Sequence, residues 1–339
     1  MKVNLPLVGI TMGDPVGVGP EIIAKALSDP SVLRCCRPVI YGNATRLFAG
    51  AKSTGVRLRI AEMPSNNGDP VGHEGISVID PTSIETEGLE WGKPTPIAGM
   101  AMAAYLNAAI NDAIAGRIAA IATGPINKLA LKMADIPFSG HTEILAQRTG
   151  TQNYAMMLAG NRLKVVLATI HIPIEHVPQA LTTQGITTII TLTDHALKTR
   201  FGLPAPRIAV AGLNPHAGES GLFGDEEENI IRPAINQAAA IGIPVSGPHP
   251  PDTIFFQASR GAYDAVVAMY HDQGLGPFKM IHFEDGVNTT LGLPIVRTSV
   301  DHGTAYDIAG SGEASPASMV AAIAMAADQV RWMKRNYSP

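Results

Sequence analysis

The sequence predicts an α/β protein built on mostly parallel sheets, and three observations carry that prediction. Short runs rich in Val, Ile and Ala, bounded by Gly, Pro or Asn, alternate with helix-like runs along almost the whole chain. Such runs read as strands buried on both faces, and their alternation with helices argues for helices layered on sheet. The 339 residues exceed one ordinary core and point to two domains or one large α/β unit. A composition of 46% hydrophobic and 16% charged residues supplies ample material for buried sheets.

The elements follow in order. Residues 5–12 read as the first strand and 20–27 as the first helix; 38–41 form a strand that stops at Gly42-Asn43. Residues 63–95 are polar and rich in Gly, Pro, Asn and Ser, with one apolar run at Ile76–Ile79. Residues 94–115 are Ala-rich and helical, and 117–122 form a strand running into Thr123-Gly124-Pro125. Helices are expected at 184–200, at 226–241 with acids in the first turn and Gly242 at the stop, and at 318–334. A soft domain break falls near 130, and the last helix is placed back with the N-terminal part. That gives a discontinuous domain, 1–130 plus 300–339, beside a second domain, 131–299.

Three strand-like runs end in a histidine. LKVVLATIHIP carries His171, RIAVAGLNPHAGE carries His216, and YDAVVAMYHDQG carries His271. Ligands of open α/β sheets gather beyond the carboxyl ends of the strands. Singly, each histidine reads as structural or capping. Recurring three times, they read as ligands, because three imidazoles with an open position make a catalytic metal site. Such a set suits Zn, with Mn, Co or Mg also open.

The charge balance, 25 Lys and Arg against 29 Asp and Glu, excludes a basic nucleic-acid footprint. An anionic substrate must therefore be held by local positive groups. The two cysteines, Cys35 and Cys36, are adjacent and make no disulfide framework, which fits a reducing, cytoplasmic setting. No signal core is expected at the N-terminus. The Ala-rich stretch 317–328 is too short and too closely flanked by charge to span a membrane.

Four further segments can carry chemistry. Gly13 to Glu21, GDPVGVGPE, follows the first strand and opens a helix, where closely spaced glycines and a helix start suit an anion. It is not the dinucleotide fingerprint, since Ile22 stands at the third glycine position, and a tight turn without a ligand stays open. SGHTE, Ser139 to Glu143, reads either as an N-cap with Thr142 capping or as a substrate contact through His141. The stretch from His271 to Arg297 carries Lys279, Asn288 and Arg297; Arg297 follows the apolar run 291–296 and is expected at a strand end, with His282 in a loop. The loop 301–316 has small-residue turns around Asp307, which suit either a ligand or a plain connection.

At these residues the chain resembles the 4-hydroxythreonine-4-phosphate dehydrogenase family. TMGDPVGVGPE, TGPINK, SGHTE, ATIHIP, GLNPHAGE, PPDTIF, AMYHDQG, GVNTTLGLPIVRTSVDHGTA and DIAGSG all stand in the family's order. The first and last blocks are also similar to β-decarboxylating dehydrogenases such as isopropylmalate dehydrogenase, which bind NAD without a Rossmann fingerprint. The resemblance implies two α/β/α-layered domains with a cleft between them, isopropylmalate dehydrogenase-like, working as a homodimer with the active site at the interface. It implies a divalent metal on His171, His216 and His271, shared across that interface. Substrate contacts are implied for His141, Thr142, Lys279, Asn288 and Arg297. NAD contacts are implied for Gly13, Asp14, His302, Gly303, Ala305 and Asp307. Lys128 and Asp252 are candidates for proton transfer, with a structural role equally open for both.

The family has branches. One oxidises 4-phosphohydroxy-L-threonine in vitamin B6 synthesis. Another acts on D-threonate or D-erythronate 4-phosphate and gives dihydroxyacetone phosphate and CO₂. A third handles a terephthalate dihydrodiol. GESGLFGDEE, GPHPPDTIFFQA and GLGPFKM resemble the sugar-acid branch, and Lys279 with Arg297 argues for a phosphorylated substrate. A metal-dependent hydrolase that never uses NAD is the alternative of a different class; it has no need of the loops 13–19 and 301–316.

Overall fold

The computed structural model describes residues 5–63, 76–82, 84–86, 88–137 and 140–336. It divides into two compact units, Met1–Thr151 with Leu293–Arg331, and Gln152–Gly292 with Trp332–Pro339. The sequence places the divide at 130 and 299, but residue 130 lies inside the helix Lys128–Met133. An apolar cluster of Met102, Ala103, Ala130 and Leu131 ties that helix to Pro96–Ile114, so the chain has no linker there.

Twelve strands are described in chain order. They are β1 Leu7–Thr11, β2 Arg37–Tyr41, β3 Ile60–Met63, β4 Ile76–Ile79, β5 Ala120–Thr123, β6 Ala155–Ala159, β7 Lys164–Leu167, β8 Ile208–Ala211, β9 Val245–His249, β10 Ala265–Ala268, β11 Val287–Leu291 and β12 Val296–Val300. In the first unit the order is β3-β4-β2-β1-β5-β12, parallel throughout. Apolar residues on both faces make this possible: Val8, Ile10, Val39, Ile40, Ile121 and Ala122 are all fully buried. Each large side chain among them contributes about 1.5–3 kcal/mol on burial.

The second unit orders β11-β6-β7-β10-β8-β9. Strands β7, β10, β8 and β9 are parallel, and β6 runs antiparallel to both β11 and β7. The α/β class with mostly parallel sheet holds, with β6 as the reversed strand. Sequence reading anticipated neither β3, β6 nor β9, nor the helices Pro30–Cys35, Ala44–Thr54 and Pro251–Ser259.

Two local expectations fail for clear reasons. The run 291–296 is not one strand: Gly292 turns the chain at φ 87, where a Cβ would lie 2.3 Å from the Asn153 carbonyl oxygen, and Pro294 follows. Arg297 is therefore the second residue of β12, opposite Ile121, rather than at a strand's carboxyl end. His282 is not in a loop but ends the helix His271–His282. It is 2% exposed; its Nε2 accepts from the Arg162 amide at 3.3 Å and its Nδ1 lies 2.9 Å from Asp285 Oδ1. The Gly-rich wording HDQGLGPFKM hides that helix. Gly274 is needed because a Cβ there would lie 2.6 Å from Val165, so glycine lets the helix sit down on β7.

The helix Ala317–Asn336 is packed as expected, with Met319, Ala322, Ile323, Ala326 and Ala327 fully buried. Among the described residues no helix is long and apolar enough to cross a membrane.

Candidate active site

In the second unit, β7, β10 and β8 lie side by side and parallel, so the loops leaving their carboxyl ends share one edge. His171 follows β7, His271 opens the helix after β10, and His216 lies in the loop after β8. The edge is knitted by buried polar groups. Thr169 Oγ1 donates to the Met269 carbonyl at 2.7 Å. Gln273, 8% exposed, accepts from the Met269 amide at 2.7 Å and donates to the Gly212 carbonyl at 2.7 Å, joining the β10 and β8 ends.

The His171 and His271 rings have centroids 5.6 Å apart. An ion about 2.1 Å from one nitrogen of each ring would set two imidazole centroids roughly 5–6 Å apart. Their spacing and imidazole donors therefore fit a shared metal. His271 Nδ1 lies 2.7 Å from Asp272 Oδ1, and the Nδ1–H tautomer that satisfies this contact leaves Nε2 free to coordinate. His216 is exposed, and its ring neighbour is Phe223 at 6.1 Å. Among the described residues of one chain, no group of three or more His, Cys, Asp or Glu side chains is gathered for a metal.

His216 opens an unusual backbone segment. His216, Ala217, Glu219 and Ser220 have φ of 52, 54, 45 and 57, with Gly218 at 81 between them. This left-handed turn costs roughly 1–2 kcal/mol for each non-glycine residue, so neighbouring structure must enforce it.

Lys279 and Asn288 belong to the same unit. Lys279 stands on the helix His271–His282 with its ammonium 5.9 Å from the Phe283 ring. Asn288 lies on β11, with its Oδ1 buried and lacking a hydrogen-bond partner. Asp252 is exposed in the first turn of Pro251–Ser259.

The first unit holds a second group of predicted residues. His141 is the first residue of the helix His141–Thr149, and Gly140 caps it without a side-chain bond, so Thr142 is not the cap. Ser139 lies outside the described residues. His141 and Thr142 are each 9% exposed, and His141 Nε2 is buried with no hydrogen-bond partner. Burial first, and the positive charge of Arg297 second, hold the His141 imidazole well below its ordinary pKa of 6.5, so it is neutral. Arg297 is 2% exposed and donates to Thr123 Oγ1 at 2.9 Å. Burial pushes its pKa down to about 10, against the pull of Glu143. A desolvated guanidinium beside a neutral imidazole is the chemistry of an anion site. Lys128 opens its helix, exposed.

The glycine loop and the loop 301–316 form one assembly in this unit. Asp14 is fully buried; it accepts from the Val16 amide at 2.9 Å and from the Tyr306 hydroxyl. Burial raises its pKa, and the Tyr306 and Val16 bonds oppose that rise. Gly13 is buried with its backbone against Pro125. The Val18 amide donates to the Thr304 carbonyl at 3.0 Å. Glu21 is fully buried and accepts from the amides of Gly310 and, at 3.0 Å, Gly312. Lys25 donates to the carbonyls of Gly312 and Ala314 at 2.6 and 2.8 Å. His302, Gly303 and Asp307 are exposed on the loop, and Ala305 has φ 42.

Sequence reading did not single out Glu21, Tyr306, Gln273 or Glu227. Gln273 stands two residues after His271, and that position was its one signal. Glu227 was masked by its acidic neighbours, which read as helix-start charges.

The sequence profile of the family described as pyridoxal phosphate biosynthetic protein PdxA matches residues 34–326. A 4-hydroxythreonine-4-phosphate dehydrogenase from Desulforapulum autotrophicum is 54% identical over 334 residues, covering 97% of each chain. A D-threonate 4-phosphate dehydrogenase from Salmonella typhimurium is 48% identical over 321 residues, covering 94% of this chain and 97% of that protein. A crystal structure of the Klebsiella pneumoniae 4-hydroxythreonine-4-phosphate dehydrogenase superposes with TM-score 0.87 at 44% identity, covering 97% of this chain and all of that one. The chain belongs to this family and is an oxidoreductase of the dehydrogenase type.

Proposed function

We propose that this family member uses NAD and a divalent ion to oxidise a 4-phosphorylated four-carbon 3-hydroxy acid. The substrate in this reading is D-threonate or D-erythronate 4-phosphate, and the products are dihydroxyacetone phosphate and CO₂. The observation that carries the reading is the buried Arg297 guanidinium beside neutral His141, a place for an anionic end of the substrate. The resemblance to the sugar-acid branch in GESGLFGDEE, GPHPPDTIFFQA and GLGPFKM supports the choice of acid.

His171, His216 and His271 would hold the ion, and the loop carrying His302, Gly303, Ala305 and Asp307 would hold NAD, together with the turn at Gly13 and Asp14. A bound divalent ion lowers the pKa of an alcohol on it and stabilises the negative charge left when a β-keto acid loses CO₂. Arg297 and Lys279 bind anionic groups through charge-assisted hydrogen bonds. Thr142 and Asn288 orient the substrate by hydrogen bonding; the bare Asn288 Oδ1 is suited to accept from a substrate hydroxyl. His141, kept neutral, contributes a hydrogen bond without adding charge next to Arg297. Lys128 or Asp252 carries the proton released from the C3 hydroxyl. The working unit in this proposal is a homodimer. Ile172, Ile174, Leu222 and Phe223, apolar yet exposed, flank two of the three histidines and support a partner surface there.

A second reading, oxidation of 4-phosphohydroxy-L-threonine, is favoured by relatives of that name at 54% and 56% identity. Assaying both phosphorylated acids side by side with NAD and Mn²⁺ separates the two. The sugar-acid reading expects a kcat/KM at least about tenfold higher for D-threonate 4-phosphate, about 1.4 kcal/mol in transition-state binding. Oxidation of the amino acid alone overturns it in favour of the second.

A further inference from the structure

We propose that Glu227 is a positioning residue that holds the left-handed turn 216–220 in shape and so sets where His216 presents its imidazole. The inference rests on the metal reading above.

The geometry is specific. Glu227 is 1% exposed. Its Oε1 accepts from the backbone amides of Leu213 and Asn214, both at 2.7 Å, and its Oε2 accepts from Asn214 Nδ2 at 2.9 Å. One carboxylate thus gathers three donors from the two residues that lead into Pro215 and His216. Asn214 Nδ2 also donates to Glu226 Oε2 at 2.7 Å, which fixes the Asn214 side chain from a second direction. Two glycines make room for the carboxylate: a Cβ on Gly218 would lie 2.7 Å from Oε2, and one on Gly212 would lie 3.0 Å from Oε1. Glu227 itself opens a π-helical turn, Glu227–Ile231, ahead of the helix Arg232–Ala240. Such turns widen a helix by one residue and recur at functional sites. On the other side, Gln273 anchors the Gly212 carbonyl.

The turn needs this support. Five successive residues, four of them not glycine, adopt positive φ, and His216 at their head is exposed, with no core packing to place it. A buried carboxylate that collects backbone amides just before such a turn fixes its entry direction. The effect on a ligand histidine is that of outer groups around a metal site: the coordinating atom is held where the ion needs it.

The test is Co²⁺ titration of the full-length, metal-free protein followed by visible absorbance, beside thermal unfolding without metal. Glu227→Gln keeps the size of the side chain but presents an amide to the Asn214 Nδ2 donor. Its Co²⁺ affinity is expected to fall about 10- to 100-fold, as for other outer-shell changes, while the metal-free melting temperature drops only a few degrees. A purely structural role would lower the melting temperature and leave the affinity of the folded protein unchanged. Affinity within twofold of wild type in folded Glu227→Gln overturns the proposal. If that variant does not fold, Asn214→Ala, which removes one of the three bonds, carries the test; a several-fold loss supports the proposal and an unchanged affinity overturns it. His216→Ala in the same titration separates the two levels. Binding unchanged in His216→Ala sinks the metal reading and this inference with it, whereas binding lost there but kept in Glu227→Gln sinks the inference alone.

Discussion

The two units handle their loops in opposite ways. In the first, the acids of the glycine loop turn inward: Asp14 takes the Tyr306 hydroxyl and Glu21 takes two amides of the 310–312 turn, and both carboxylates are fully buried. In the second, the histidines beyond β7 and β8 are exposed, and buried neighbours such as Thr169, Gln273 and Glu227 fix the backbone around them. The difference separates two uses of polar residues that look alike in a sequence. Groups with every bond satisfied inside the chain hold shape, and groups left open to solvent on a fixed backbone are available for chemistry.

The sharpest way to break this comparison is to remove an open group. His216→Ala should lower metal-dependent NADH formation by at least about a thousandfold, on the order of 4 kcal/mol of transition-state stabilisation. Its melting temperature should stay within a few degrees of wild type, since His216 is exposed. Full turnover in that variant would remove the proposed mechanism. A smaller effect is expected at the proposed anion site around buried Arg297. Arg297→Gln should raise KM for the phosphorylated substrate roughly 10- to 100-fold, the loss of about 1.5–3 kcal/mol for hydrogen bonds to a charged group. Unchanged KM would move the anion elsewhere.

Removing an inward-turned group should instead act on stability. Glu21→Gln keeps one acceptor for the Gly310 and Gly312 amides and should cost about 1–3 kcal/mol, read as a shift in the denaturation midpoint. A variant equally stable would mean the clamp contributes nothing.

The smallest effect is a slope with pH. His141 has a folded pKa below its ordinary 6.5, so in acid the unfolded chain takes up a proton that the native chain does not. Stability should therefore be level above 6.5 and fall as pH drops below it. Buried Asp14 and Glu21, whose pKa values are raised, tilt the curve the other way. The contribution of His141 is thus read from the difference between wild type and His141→Gln across pH 5–8. A difference that does not change with pH would show that His141 titrates as it would in water.

Much of the framework beneath the candidate site was legible because strand chemistry is local. Val-, Ile- and Ala-rich runs that stop at Gly, Pro or Asn before His171, His216 and His271 do form three neighbouring parallel strands. What misled was local wording whose meaning depends on distant contacts. His282 reads as a loop residue until Gly274 is seen to let its helix sit against β7. Arg297 reads as a strand end until the turn at Gly292 splits the run. Thr142 reads as a cap, but Gly140 takes that place because its extended backbone starts the helix.

By itself, the sequence determined the α/β class, the positions of its main strands along the chain and the residue types that follow them, since periodicity and breakers act over a few neighbours. The partners of the buried acids, the neutrality of His141 and the left-handed turn under His216 were decided only by tertiary structure. Each depends on desolvation and on donors brought from far along the chain, and neither property is carried by any short stretch of residues.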